Sequence, residues 1–230
     1  MNRTRISKSF SAARPHTVLL VLVLAVLSAC SKSPEEQLRI AEQQVAANDY
    51  PAATVTLKSL LQEDPENLNA RLLLADVSLA LNDPFSAEKE LERARDLGAE
   101  AQAYMEQYAV SLLRQGRHTE VLEILSLEAS DLGLSETQML LLRGQALLGL
   151  NSWIAAEEAF EEARLIDAQN PMAVWGVAAS RVESGRLGAA KPILTELTAN
   201  HAQYARGWLL SGQVALKEGR LTDAKNDFVT

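Results

Sequence analysis

Six times, at intervals of 34, 34, 35, 34 and 34 residues, one pattern of side-chain sizes returns along this chain. With unit starts at Pro34, Leu68, Gln102, Thr137, Pro171 and Ala205, the eighth position is always small: Ala41, Ala75, Ala109, Gly144, Ala178 and Gly212. The twentieth is alanine except once: Ala53, Ala87, Val121, Ala156, Ala190 and Ala224. The twenty-fourth is large and apolar: Leu57, Leu91, Leu125, Phe160, Leu194 and Phe228. Between the first two marks stands Asn48, Asn82, Gly116, Asn151, Gly185 or Gly219. These residues tolerate the left-handed backbone that ends a helix. A fixed period of this length means that each unit is one pair of elements unable to bury its apolar face alone. It buries that face by stacking on its neighbours. A composition of 47% hydrophobic but only 5% aromatic residues suits helices packed through small and aliphatic side chains.

Period and pattern together resemble the tetratricopeptide repeat (TPR) over residues 34–230. The resemblance implies an all-α, right-handed superhelix (an α-solenoid) of six registered helix pairs, the last truncated. In that family the eighth and twentieth positions mark the tight crossing of helices A and B. Ser33 is expected to cap the first helix, with Pro34 at its first position. The proline that closes a repeat survives only as Pro65, and Gly98 or Asn170-Pro171 breaks the chain elsewhere. Two departures stand out. Val121 and Glu128 weaken helix B of the third repeat, where "EASDLGLSET" carries one extra residue. Pro192 falls inside a predicted helix B, where it removes a donor or kinks the helix. Phe228 is followed by no polar capping helix, so the array is expected to continue past Thr230.

The amino-terminal 29 residues read differently. Arg3, Arg5, Lys8 and Arg14 form a basic head, Val18 to Leu27 is an unbroken apolar run, and Ser28 and Ala29 precede Cys30, the only cysteine. Ten residues rise only ~15 Å as a helix, half of a bilayer's hydrocarbon core. This is the form of a secretory signal rather than a membrane span. "LSAC" resembles the lipobox of bacterial lipoproteins, which implies cleavage before Cys30, lipidation of its thiol and acylation of the new amino terminus. Two or three fatty chains anchor stably where one does not. The expected organisation is a signal peptide over 1–29, a lipidated cysteine and short tether over 30–33, and the repeat array over 34–230.

Cleavage removes four basic and no acidic residues, leaving 18 basic against 30 acidic, a formal −12 in place of −8. So acidic a chain is ill-suited to nucleic acid or to electrostatic docking on anionic lipid. Membrane attachment is expected through the covalent lipid alone. Ser31 stands where an aspartate would signal inner-membrane retention, which favours the outer membrane, although Lys32-Ser33 resembles a retention pair of some pseudomonads.

No catalytic constellation is evident, and no enzyme activity, small-molecule substrate, metal or cofactor is indicated. His16 lies in the signal, His118 in a slot held by Tyr50 and Trp153 in other repeats, and His201 in an inter-repeat turn. Acidic pairs Glu157-Glu158 and Glu161-Glu162 read as a solvated helix face. TPR arrays bind other proteins along a concave groove of A helices. Carried over to this chain, the groove candidates are Leu38, Glu42, Leu72, Asp76, Glu106, Leu141, Gln145, Trp175, Leu209 and Gln213. The basic set that clamps a carboxyl terminus is missing, so an apolar extended or helical segment is the expected ligand. The twelfth positions, such as Leu113 and Leu148, suit contact with the next repeat better than a partner. Trp175 and Glu106 suit exposure.

The opening of the mature chain carries a narrower resemblance. Ala47, Asp49, Tyr50, Ala52, Ala53, Leu57 and Lys58, behind "CSKSPEE", are similar to the long TPR lipoproteins of the PEP-CTERM/exosortase system (PrsT type). That resemblance implies a periplasm-facing scaffold for envelope proteins in exopolysaccharide export or protein sorting. The other reading is a pilotin-like assembly chaperone of a pilus or secretion system.

Overall fold

The computed structural model describes residues 32–127 and 129–229. The signal segment and Cys30 lie outside the described residues. Twelve helices and one four-residue helical turn fill the described chain, with no strand among the described residues. In chain order they are α1 (Pro34–Ala46), α2 (Tyr50–Glu63), α3 (Leu68–Ala80), α4 (Pro84–Asp96), α5 (Ala101–Arg114) and α6 (His118–Ile124). The short turn α7 (Ala129–Leu132) follows, then α8 (Glu136–Gly149), α9 (Trp153–Ile166), α10 (Pro171–Glu183), α11 (Leu187–Asn200), α12 (Ala205–Lys217) and α13 (Leu221–Val229). None of these is long and apolar enough to cross a membrane.

Local chemistry sets the helix ends. The Ser33 hydroxyl accepts from the Glu36 N–H at 3.2 Å and Pro34 opens α1, as expected. Asp49, Asn67, Asp83 and Asn170 cap α2, α3, α4 and α10 in the same way, and Ser135 with Gln138 forms a capping box on α8. In three of the A-to-B turns Asn48, Asn82 and Asn151 adopt φ of 57–58°, in the left-handed region predicted for them.

The predicted crossings are the core. All six residues at the eighth position and all six at the twentieth are buried. Onto them pack Leu57, Leu91, Phe160 and Leu194, each at most 2% exposed. Consecutive helices pack along the chain, and successive A helices (α1, α3, α5, α8, α10, α12) also touch one another, while no two successive B helices pack to a comparable extent. The A helices therefore lie on the inner side of the curve. Pairs of oppositely charged side chains tie neighbouring repeats. Arg117 meets Glu88 of the preceding repeat at 2.5 Å, and within the second repeat Arg71 on α3 meets Glu90 on α4 at 2.6 Å.

Three points of the expected pattern are resolved, two of them as corrections. In the third repeat helix B stops after seven residues, and Leu125 is its half-buried C-cap rather than a buried core residue. Leu132 and Leu134, from the segment with the extra residue, enter the core beside Val121 instead. Gly133 makes this return possible. Its φ is +63°, and a Cβ there would meet the Gln102 backbone at 2.5 Å. Pro192, second, lies inside α11 as expected, and the helix runs from Leu187 to Asn200 with the ring exposed to solvent. Third, Glu157 and Glu161 are not simply solvated. Arg181 reaches back from α10 to both, at 2.7 and 3.3 Å, and Arg186 also pairs with Glu157. Glu158 and Glu162 are exposed as expected.

Candidate functional site: a trough of A helices

The inner A-helix surface deepens at the third to fifth repeats into one trough of about 610 Å³. Its walls come from α5, α8, α10 and the start of α12, which are held side by side by the A-to-A packing. Four of the ten groove candidates meet here: Glu106, Leu141, Gln145 and Trp175. Val110, Leu113, Leu148 and Met172 supply further apolar lining. Leu113 and Leu148 are twelfth-position residues, so this position both packs and lines the trough here. At the twelfth position elsewhere, Leu79 and Val182 are buried in the core.

The remaining candidates lie outside the trough. Leu38 and Leu72 are half-buried against the cores of the first two repeats. Glu42, Asp76 and Gln213 are exposed, and Leu209 lines a separate depression with Trp208 and Phe228 at the carboxyl-terminal pair. Asp76 keeps solvent contact, yet the surrounding inner surface desolvates its carboxyl and pushes its pKa up.

Neither Trp175 nor Glu106 is freely exposed. Trp175 packs against the core shared by the fourth to sixth repeats, and the Arg206 guanidinium lies 3.6 Å above its ring. Glu106 accepts from the Gln138 side-chain amide at 2.5 Å. Gln145 in turn donates to the Leu141 carbonyl at 3.2 Å and lies 3.4 Å from the Met172 sulfur. Most of the polar lining is therefore held in place before any ligand arrives. His118, read as a structural residue, lies at one edge of the trough with its Nδ1 buried and unpartnered, its ring filling the space a side chain on Gly149 would need.

Two arginines of the trough were not among the groove candidates. Arg114 sits at the last turn of α5 and donates to the Leu79 carbonyl of the preceding repeat. Arg206 is the second residue of α12. Arg114 has no set slot in the period, whereas Arg206 stands at the second position of its repeat, as Gln138 and Met172 do in theirs, which is a groove-facing position of TPR arrays.

Residues 44–107 and 178–226 each match a tetratricopeptide-repeat family model. With the registered helix pairs, these matches decide the architecture. The fold is a tetratricopeptide-repeat solenoid. Solved TPR structures agree with this. A TPR protein from Parabacteroides merdae superposes with a TM-score of 0.78 at 13% identity, over 91% of this chain and 81% of that one. PilW, a widely conserved type IV pilus biogenesis factor, gives 0.67 at 19% identity, over 86% and 91%. The pilF protein of Pseudomonas aeruginosa gives 0.60 at 20%, over 84% and 88%. At these identities the TPR likeness is one of fold. No curated protein matches the sequence.

Proposed function

We propose that this TPR protein is a lipid-anchored scaffold facing the periplasm, which holds a segment of another envelope protein in the trough of A helices. One observation carries the reading: apolar floor residues and pre-positioned amides from three successive repeats converge in one open cavity of about 610 Å³. That volume is in the range of sites that enclose small ligands and side chains (~300–1,000 Å³). The lining offers surface and hydrogen bonds, which is the chemistry of recognition. Anchoring would rest on Cys30, and the outer membrane is the favoured location because Ser31 is not an aspartate.

Two settings remain for the scaffold. The opening of the mature chain, "CSKSPEE" with the Asp49–Lys58 pattern, supports exopolysaccharide export or PEP-CTERM protein sorting. The fit to PilW over 86% of this chain and 91% of that one supports the second reading, an assembly chaperone of a pilus system.

The trough is tested by photocrosslinking in cells. A photoreactive phenylalanine analogue replaces Leu141 in one strain and Leu165, an outward residue of α9 that is 87% exposed, in another. Crosslinks to a discrete envelope protein from position 141 and not from 165 are expected. Equal crosslinking from the two faces, or none from 141, overturns the groove as the binding surface.

A further inference from the structure

The trough has a charge bias opposite to that of the chain. The whole sequence carries a formal −8. The trough lining holds Arg114 and Arg206 against a single carboxylate, Glu106, which the Gln138 amide already engages. Elsewhere the arginines that bridge helices are neutralised by carboxylates, as Arg71 is by Glu90, Arg117 by Glu88 and Arg181 by Glu157. Arg114 and Arg206 have no carboxylate partner among the described residues. Arg114 gives one N–H to a backbone carbonyl. Arg206 rests on the Trp175 ring beside the Tyr204 phenol, and neither group carries a charge that neutralises it. A stacked guanidinium is held in one orientation, so less freedom is lost when it grips an anion.

The two cations come from the first and last of the repeats that line the trough. Arg114 belongs to the third repeat and Arg206 to the sixth, and the apolar floor of Val110, Leu141, Leu148 and Met172 lies between. Apolar walls weaken screening and strengthen a charge interaction within a cleft. We infer that the trough takes a polypeptide segment in which a short apolar run is flanked by acidic side chains, the apolar residues on the floor and the carboxylates on Arg114 and Arg206. This rests on the groove reading above and adds the chemistry of the partner. A basic segment, which the acidity of the whole chain would suggest, is disfavoured because both unpaired charges in the trough are positive.

The test uses full-length protein in non-ionic detergent and fluorescein-labelled peptides with blocked ends. Three peptides share a central Leu-Leu-Leu, flanked on each side by Asp, Asn or Lys. By fluorescence anisotropy the Asp peptide is expected to bind at least tenfold tighter than the Lys peptide, with a preference that shrinks as salt rises. Arg206→Gln should weaken the Asp peptide about fivefold or more and leave the Asn peptide nearly unchanged. Arg143→Gln, an exposed α8 arginine outside the trough, should change neither. A thermal melt of each variant checks that the fold is intact. If the Asn and Lys peptides bind as well as the Asp peptide, and Leu141→Glu abolishes all three, the acidic partner is refuted and the groove stands. If no peptide binds, or Leu141→Glu has no effect, both readings fall.

Discussion

The Phe160 ring occupies the place a side chain on Gly144 would need, with a Cβ at position 144 falling 2.7 Å from the ring Cζ. Gly176, on the next A helix, leaves room for the other side of the same ring. Gly212 stands in the same relation to Phe228, at 2.5 Å. In the other four repeats the eighth position is alanine and the twenty-fourth leucine. In the first, second and fifth repeats Ala–Leu fills the crossing and in the fourth Gly–Phe does, so the two positions share one volume there; Leu125 leaves the core and Phe228 at the last helix is 45% exposed. Gly144→Ala should destabilise the protein by about 1–3 kcal/mol through overpacking, despite alanine's better helix propensity. Adding Phe160→Leu should recover part of the loss, with a coupling of at least ~0.5 kcal/mol in a double-mutant cycle by chemical denaturation. Additive effects would refute the shared volume.

Arg71 and Glu90 form an ion pair with each side chain only 10% exposed, and Arg71 also donates to the Pro65 carbonyl. Removing Glu90 leaves the Arg71 charge without a carboxylate, whereas without Arg71 the Glu90 carboxylate keeps Arg93 at 3.0 Å. Glu90→Ala is expected to cost about 3 kcal/mol, whereas Arg71→Met with Glu90→Leu should be closer to neutral. A single mutant as stable as the unaltered protein would show the pair to be solvated.

Glu157 links α9 to the following repeat. Burial works to raise its pKa, but hydrogen bonds from Arg181 and Arg186 outweigh it and hold the carboxyl below its ordinary value. A depressed folded-state pKa adds stability above the unfolded value, and this is lost as pH falls through the folded one. Glu157→Gln should therefore lower the melting temperature at pH 7, and the difference should shrink as pH drops below ~4.3. A melting difference that does not change between pH 7 and pH 3 would remove the ion-pair explanation.

Trp175 has a half-buried ring with one face under Arg206. Its truncation to alanine should cost about 1–3 kcal/mol of stability, less than the ~3–5 kcal/mol of a fully buried aromatic. Capture of the trough ligand should fall by more than ~1 kcal/mol on the same variant. Loss of stability with unchanged ligand capture would make Trp175 a packing residue only.

For the anchor, Cys30→Ser should abolish incorporation of labelled palmitate and release the protein from the membrane fraction. Labelled palmitate still attached to the serine variant would rule Cys30 out. On density gradients the unaltered protein should travel with outer-membrane markers, and co-migration with inner-membrane markers would reverse that assignment.

The sequence alone determined the helices, their pairing and their crossings. Each depends on residues close in the chain: Asn48 and its equivalents end a helix locally, and Ala41, Ala53 and Leu57 fall on facing sides of one hairpin. The Gly–Phe exchange at positions 144 and 160 was legible there too, as a size correlation within one repeat. Tertiary structure decided what the outer positions do. Leu38, Glu106 and Trp175 share one register position, yet one packs on a core and two line the trough, because stacking sets a different neighbour for each. Glu157 looked solvated until Arg181 and Arg186 came across from the next repeat. Arg206 reached Trp175 in the same way, from one A helix to another. Leu132 and Leu134 replaced the expected core residue of a helix that ended early. Periodicity places a side chain on a face of its own helix, but the neighbour that covers that face depends on how successive repeats pack.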